Sequence, residues 1–331
     1  MSDLRNAALP ARAESDQHTR LKAKRYLSWL GSMLVILSFG FIGHRLWSQG
    51  IALEGLQLDA RLLWSSTGAA LVYALACFFL SNAWHALVSL FSEFAPDRGD
   101  NTWVYAKSQL GKYIPGNFMH LAGRHLLSRD LGLSHATLAA SALGEIAGLL
   151  AASSTLAALG LGLLGIQQQL VSLPWLLLAV PIGLLLAVAA GRALWPMARR
   201  RLPGLPRLEA PAAWRGLLGV YLRYLCFFAG AGAALLWLIH GLGGAADLQT
   251  TAAVMVVFAA SWLAGFVTPG APSGIGVREA IIVLALEQMA LAVPPLSLAL
   301  LFRLVTVSGD VLFFAIAAIA HRRRRCQPDP Q

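Results

Sequence analysis

Two short stretches of the sequence combine basic side chains with glycine and proline, and this combination is suited to binding anionic groups. The first stretch, residues 103–125, reads WVYAKSQLGKYIPGNFMHLAGRH, and the second, residues 266–280, reads FVTPGAPSGIGVREA. Arginine can bind a phosphate through two parallel hydrogen bonds, and lysine binds it as a point charge. Glycine lets backbone N–H groups approach an anion closely. Both stretches therefore predict a site for an anionic group such as a lipid phosphate.

The candidate residues of each stretch are its charged or polar side chains and the turn residues beside them. The first stretch supplies Lys112, Pro115, Gly116, Asn117, His120 and Arg124, and the second supplies Pro269, Gly270, Gly274, Gly276, Arg278 and Glu279. Lys107 is expected to reach the membrane interface with its charged end, because long basic side chains near helix ends commonly do so.

Ionisable residues inside apolar segments form a second group of candidates. On insertion scales a charge at a helix centre costs about 2.5–3.5 kcal/mol in a bilayer, so it should be paired, line a cavity or serve a function. Glu145 is expected to pair with one of the arginines. Arg278 and Glu279 are adjacent and cannot face each other on a helix, so we expect separate partners. Arg303 and Asp310 are two helical turns apart on one face and could line the same cavity, where Asp310 suits a proton or counter-ion role.

The composition indicates which elements must position these residues. The chain has 331 residues, of which 57% are hydrophobic and 13% charged, whereas soluble domains have about 25% charged residues. Several apolar runs exceed the roughly 18 residues that cross a bilayer, and backbone in hydrocarbon must satisfy its own hydrogen bonds. The predicted fold class is all-α, a polytopic integral membrane protein with about six to eight transmembrane helices. The two Gly/Pro-containing stretches are expected to be re-entrant or broken-helix segments.

The positions of the basic residues predict the topology. The predicted spans are residues 27–47, 62–91, 136–164, 173–194, 214–240, 248–267 and 296–320. Lys and Arg gather on the cytoplasmic side of short loops, which places residues 1–25, 192–215 and 321–331 inside. The expected organisation is a disordered cytoplasmic tail at 1–25, one transmembrane domain at 26–320 and a basic cytoplasmic tail at 321–331. Both ends of the chain are then cytoplasmic. The expected location of the protein is the inner or plasma membrane.

The two stretches also share a spacing that raises the possibility of an internal repeat. Pro115 precedes Arg124 by nine positions, and Pro269 precedes Arg278 by the same number. Paired Gly/Pro-interrupted segments are typical of transporter binding sites. A simple count of crossings makes such a repeat parallel, and it is inverted only if residues 248–267 stop short of a full crossing.

Other chemistry receives no support from the sequence. The three cysteines and eight histidines have no spacing typical of a metal site, and neither a phosphate-binding P-loop nor a nucleophile elbow is present. No cofactor is expected. The net charge of +10 is explained by topology, and no nucleic-acid partner is expected.

The segments GKYIPGNFMHLAGRH and TPGAPSGIGVREA, with an Ala-rich helix containing Glu145 between them, resemble the lysylphosphatidylglycerol synthase transmembrane family. The resemblance covers about residues 27–320. This family includes the flippase half of the multiple-peptide-resistance proteins and many stand-alone members. The resemblance implies a helical membrane domain that handles lipids with polar headgroups. The chain ends shortly after its last predicted span, so the aminoacyltransferase domain of two-domain members is not expected.

Three functions remain open from the sequence. The first is a flippase or transporter of an anionic or polar-headgroup lipid, either a phospholipid or an isoprenoid-linked lipid. Its anionic group is expected to meet Lys112, Arg124 and Arg278 together. The second is an integral-membrane enzyme acting on a lipid-linked substrate, with Glu145, Glu279 or Asp310 as general base. The third is a non-catalytic scaffold in a lipid or glycan pathway. A second copy of the chain or enzymes of such a pathway are the protein partners considered.

Overall fold

The computed structural model describes residues 59–163 apart from 93, 95 and 114–118, and residues 211–325 apart from 245–246, 268–273, 275, 290 and 292. It also describes residues 178, 181 and 182. Within these ranges every regular element is a helix. The elements are α1 (Ala60–Phe91), α2 (Arg98–Gln109), a 3-10 helix (Leu110–Tyr113), α3 (Met119–Arg129), α4 (His135–Leu163), α5 (Pro211–Gly241), α6 (Leu248–Val267), α7 (Val277–Glu287) and α8 (Pro295–Arg325).

Four of the described helices are long and apolar enough to cross a membrane: α1, α4, α5 and α8. α6 is a shorter apolar helix. The predicted all-α membrane class is therefore confirmed at this level. The last helix continues through Arg325, five residues beyond the predicted span, because nothing in its basic run breaks a helix. The predicted tail at 1–25, the spans at 27–47 and 173–194, and the basic loop as far as residue 210 lie outside the described regular elements.

Close packing between α1 and α5 forms the centre of the described bundle, and small residues allow it. The two helices are antiparallel, since Gly216 lies beside Leu90 whereas Gly241 lies beside Ser65. A Cβ atom added at Gly230 would lie 2.7 Å from the Cβ of Ala76. Small residues of this kind let helix backbones approach in a membrane, where packing drives association.

α4 packs against the same pair of helices through glycines. A Cβ atom at Gly144 would lie 3.0 Å from Leu87 of α1, and one at Gly148 would lie 2.5 Å from Tyr224 of α5. These contacts hold Glu145, which lies between the two glycines on the same helix, at a buried position.

α8 runs parallel to α1 and packs beside the candidate site residues. Phe78 of α1 meets Phe313 of α8 edge to face, with ring centroids 4.8 Å apart. About one turn earlier in both helices, Gly309 lies against Tyr73. Aromatic rings from α1, α5, α6 and α8 fill the interior at this level, and edge-to-face pairs of this kind add about 0.5–1.5 kcal/mol beyond burial.

Both Gly/Pro-containing stretches contain helix ends. α2 ends at Gln109 and passes into the 3-10 helix, and α3 begins at Met119. α6 ends at Val267 and α7 begins at Val277. Gly274 and Gly276 have φ angles of 69° and 86°, which glycine adopts without the steric cost that other residues incur. The chain is thus interrupted between α2 and α3, and again between α6 and α7.

Candidate functional site

A cavity lies where both interrupted stretches meet the long helices. Its empty volume is about 390 Å³, which includes space open to the surroundings. The lining combines charged, hydroxyl and aromatic side chains: Tyr73, Lys112, Tyr113, Phe258, Ser261, Arg278, Glu279, Ile282, Ala299, Phe302, Arg303 and Thr306. The structure therefore brings Lys112, Arg278, Glu279 and Arg303 to one place, although they lie far apart in the sequence.

Lys112 connects the cavity to Asp310. Its Nζ lies 2.6 Å from Asp310 Oδ2, and its side chain retains 16% exposure whereas that of Asp310 is fully enclosed. The hydroxyl of Tyr113 donates a short hydrogen bond to the same carboxylate oxygen. Asp310 itself is not among the lining residues, so it acts on the cavity through these two neighbours.

Glu279 and Arg303 form a second ion pair on the cavity wall. Arg303 Nη1 lies 3.7 Å from Glu279 Oε1. The other oxygen of Glu279 accepts a hydrogen bond of 2.6 Å from the backbone N–H of Gly276. Glu279 thus holds the first turn of α7 in place, and its negative charge near that helix end is favourable with respect to the helix dipole.

Arg278 contacts different residues from those that Glu279 contacts, as the sequence predicted for adjacent helix residues. Its side-chain stem lies against Gly265 and Gly274, where added Cβ atoms would approach its Cγ to 2.9 and 3.0 Å. Its guanidinium lies 5.9 Å from the ring centroid of Trp262. Its Nε is enclosed and has no hydrogen-bond partner among the described residues. A buried donor left without an acceptor costs about 1–3 kcal/mol. A ligand that offered an acceptor to this N–H would remove that cost.

The charges at this site do not balance. The described cations are Lys112, Arg278 and Arg303, and the described carboxylates are Glu279 and Asp310. Three positive charges against two negative charges leave an excess of one positive charge. In surroundings of low dielectric constant, such an excess attracts an anion more strongly than it would in water.

The expected meeting of Arg124 with Lys112 and Arg278 is not observed: Arg124 lies in a separate cluster and is not among the residues that line the cavity. It forms the ion pair with Glu145 that the sequence predicted for one of the arginines. Its Nε donates to Ser108 at 3.1 Å, and its guanidinium carbon lies 3.7 Å from the ring centroid of Tyr105. Tyr105 in turn donates to Glu145 at 2.8 Å. Arg124 has 1% exposure, and its other two nitrogens also donate to the protein, Nη1 to Glu145 and Nη2 to Gln109 at 3.4 Å.

The remaining sequence candidates divide into two groups. Pro115, Gly116, Asn117, Pro269 and Gly270 lie outside the described residues. His120 is described; its Nδ1 is enclosed without a partner among the described residues, and it does not line the cavity. Gly274 and Gly276 act through the backbone, Gly274 by making room for Arg278 and Gly276 by donating to Glu279.

Several lining residues were not predicted from the sequence. The sequence offered a signal only for Tyr113, since it follows Lys112 directly. Tyr73, Phe258 and Phe302 lie within apolar helices, and nothing in their sequence context separates them from other core aromatics. The hydroxyls of Ser261 and Thr306 donate to carbonyls of their own helices, to Phe258 and Arg303 respectively.

In the part of the chain that the structure describes, no group of three or more His, Cys, Asp or Glu side chains could hold a metal ion. The arrangement around the cavity is instead suited to holding an anion by electrostatic attraction and hydrogen bonds. Comparison of the chain with protein families, curated proteins and solved structures finds no match.

Proposed function

We propose that this chain is a lipid-handling membrane protein, a flippase or transporter of a lipid with an anionic or polar headgroup. A phospholipid and an isoprenoid-linked lipid both satisfy this chemistry. The observation that carries the proposal is the excess of one positive charge in a cavity between apolar helices. A charge at membrane depth is costly unless it is paired or binds a ligand. Arg278 is a cation of this cavity whose Nε has no hydrogen-bond acceptor among the described residues.

The shape of the surrounding elements supports transport better than static binding. Helix breaks at membrane depth occur where protein or a water-filled cavity surrounds them, and they mark binding sites in transporters. We propose six to eight crossings in total, with both interrupted stretches entering the membrane and both ends of the chain in the cytoplasm. The inner or plasma membrane is the proposed location. Movement of one part of the bundle against the other would expose the cavity to each leaflet in turn.

An enzymatic role has weaker support in the geometry. A general base needs a carboxylate that can accept a proton from substrate. Glu145, Glu279 and Asp310 each accept charge-assisted hydrogen bonds from a basic partner or a backbone donor. These interactions occupy the carboxylate oxygens in this conformation, so the cavity is better suited to binding an anion than to proton abstraction.

Lipid movement in proteoliposomes tests this proposal. Fluorescent phosphatidylglycerol is placed in both leaflets, and an impermeant reductant removes the signal of the outer leaflet only. We expect the protein to make nearly all of the label accessible and Arg278→Gln to lose this activity. Arg322→Gln, which removes an exposed cation from the end of α8, should retain it.

The same experiment distinguishes the alternatives. A new lipid species in the extracted lipids would favour an enzyme. Absence of movement with the unchanged protein, in vesicles that hold folded chain, would contradict transport and favour a scaffold. Equal activity of Arg278→Gln and Arg322→Gln would mean that lipid movement does not depend on the charge of Arg278 in the cavity.

A further inference from the structure

Asp310 is a carboxylate whose charge depends on one cation. Its side chain has no exposed surface, and the described donors around it are Lys112, Tyr113 and Cys77. The Cys77 thiol donates only a weak bond, with Sγ 3.8 Å from Oδ1. Tyr113 and Cys77 donate as neutral groups, so the charge of Lys112 is the described charge in direct contact with the carboxylate. Removing one partner of a buried ion pair leaves an uncompensated charge, which is strongly unfavourable.

Lys112 is shared between Asp310 and the cavity. It belongs to the 3-10 helix at the interruption between α2 and α3, and it lines the cavity on which Arg278 and Arg303 also lie. A lysine ammonium has a flexible stem and no fixed geometry, so it can change partners without a change in backbone. An anion entering the cavity competes with Asp310 for this cation.

We propose that Asp310 is a proton-binding site coupled to the anionic cargo, so that one proton and one headgroup anion bind together. The inference rests on the proposed function. In the cargo-free site Lys112 neutralises ionised Asp310. When Lys112 turns to the cargo phosphate, one proton from the buffered solution binds a carboxylate oxygen of Asp310, and the new O–H can donate to the hydroxyl oxygen of Tyr113. Lys112 keeps its own proton throughout.

The position of the charges, and not their sum, supports this coupling. The site has three positive and two negative charges before binding, so an anion alone would bring the sum to zero. That anion would nevertheless leave Asp310 ionised beside Tyr113 and Cys77, with its former cation withdrawn. The coupled process avoids this isolated charge in surroundings of low dielectric constant.

Other titratable groups near Asp310 contribute to the electrostatic potential in which it would bind the proton. They come from four elements: Lys112 and Tyr113 of the 3-10 helix, Tyr73 and Cys77 of α1, Arg278 and Glu279 of α7, and Arg303 of α8 itself. Glu279 stays paired with Arg303 and the N–H of Gly276 whether or not Lys112 moves. It therefore does not provide an equivalent proton site.

Binding measured as a function of pH tests the inference on the full-length protein. The probe is a short-chain phosphatidylglycerol, whose phosphodiester stays ionised between about pH 5 and 8 and does not itself titrate there. Binding coupled to one proton should strengthen about tenfold for each unit by which the pH is lowered, over the range in which free Asp310 is ionised. In weakly buffered solution the unchanged protein should take up one proton for each probe bound.

Variants separate this coupling from the proposed function. Asp310→Asn should bind the probe with little pH dependence and without proton uptake, whereas Glu287→Gln, which neutralises an exposed carboxylate at the end of α7, should behave like the unchanged protein. Binding without proton uptake by the unchanged protein overturns the inference and leaves the proposed function intact. Absence of binding at every pH overturns both. Because proton uptake is measured on the unchanged protein, the test does not depend on the folding of Asp310→Asn.

Discussion

Two arginines that have similar sequence surroundings have different environments in the fold. Arg124 follows Gly123 and Arg278 follows Gly276 by two positions, and each comes nine residues after a proline. Arg124 is enclosed with Glu145, Tyr105 and Ser108, whereas Arg278 lines the cavity and has an enclosed donor without a described partner. The sequence named both as candidate lipid-binding cations, but the partner of each depends on contacts between distant helices.

The Arg124–Glu145 pair predicts a stability effect. Arg124→Gln should destabilise the protein by about 3–5 kcal/mol, because it leaves Glu145 as a buried charge without its cation. Arg124→Gln combined with Glu145→Gln should recover much of that loss, since the stranded charge is removed as well. Thermal unfolding in detergent measures both. Equal loss in the single and double variants would mean that the pair does not act through charge.

The glycine beside Arg278 predicts a positional effect on binding. Gly274 has φ of 69°, and a Cβ atom there would lie 2.7 Å from Arg278 Nε. Gly274→Ala should cost about 1–2 kcal/mol for the backbone conformation and displace the guanidinium, so affinity for anionic lipid should fall. Gly123→Ala is the matched control, since nothing lies within 4 Å of its added Cβ, and it should bind lipid normally. If both variants bind equally well, the position of Arg278 does not matter for binding.

At the scale of elements, the sequence predicted where helices occur more accurately than how they meet. The predicted span 248–267 has the bounds of α6, and the predicted spans for α1, α4 and α5 begin and end within a few residues of the observed helices, because apolar runs and Gly/Pro breaks are local signals. The equal Pro-to-Arg spacing does not extend to helix register. Arg124 is the sixth residue of α3, and Arg278 is the second residue of α7.

The ends of α2 and α8 are joined by charged residues. Asp97 caps α2 by accepting from the N–H groups of Gly99 at 2.7 Å and Asp100 at 3.1 Å, and it lies 3.0 Å from Arg324 Nη1. Loss of hydration opposes ionisation of Asp97. The backbone N–H groups and Arg324 outweigh this effect, so the pKa of the carboxyl lies below its usual range.

This lowered pKa predicts a pH dependence of local stability. The contribution of Asp97 is present above the pKa of the unfolded chain and is lost as the pH falls through the lower pKa of the folded protein. The protection factor of the amides in the first turn of α2, which is the intrinsic exchange rate divided by the observed rate, should therefore fall in acid. Asp97→Asn keeps a good N-cap and should show little of this acid dependence, whereas Asp97→Ala should show low protection at every pH. Equal acid dependence in the unchanged protein and Asp97→Asn would assign the effect to another group.

At the scale of the whole molecule, the exterior and the interior follow the membrane pattern that composition predicted. Large apolar side chains of α1 face outward, including Trp64 with 76% exposure and Leu75 with 62%, as expected of a lipid-facing surface. The Asp97–Arg324 contact brings the region after α1 to the last turn of α8, and the predicted topology puts both on the cytoplasmic side. The cavity could not be predicted in this way, because Tyr73, Lys112, Phe258, Arg278 and Arg303 meet only through the packing of several elements.

Lipid selectivity of the purified protein tests the central claim most directly. The protein is equilibrated in detergent with equal amounts of phosphatidylglycerol and phosphatidylcholine that carry the same acyl chains, and retained lipids are identified by native mass spectrometry. We predict a preference for phosphatidylglycerol that falls about tenfold in Arg278→Gln, as loss of one charged hydrogen bond implies, and persists in Arg322→Gln. Equal retention of the two lipids by the unchanged protein, or an unaltered preference in Arg278→Gln, would contradict an anion-binding cavity.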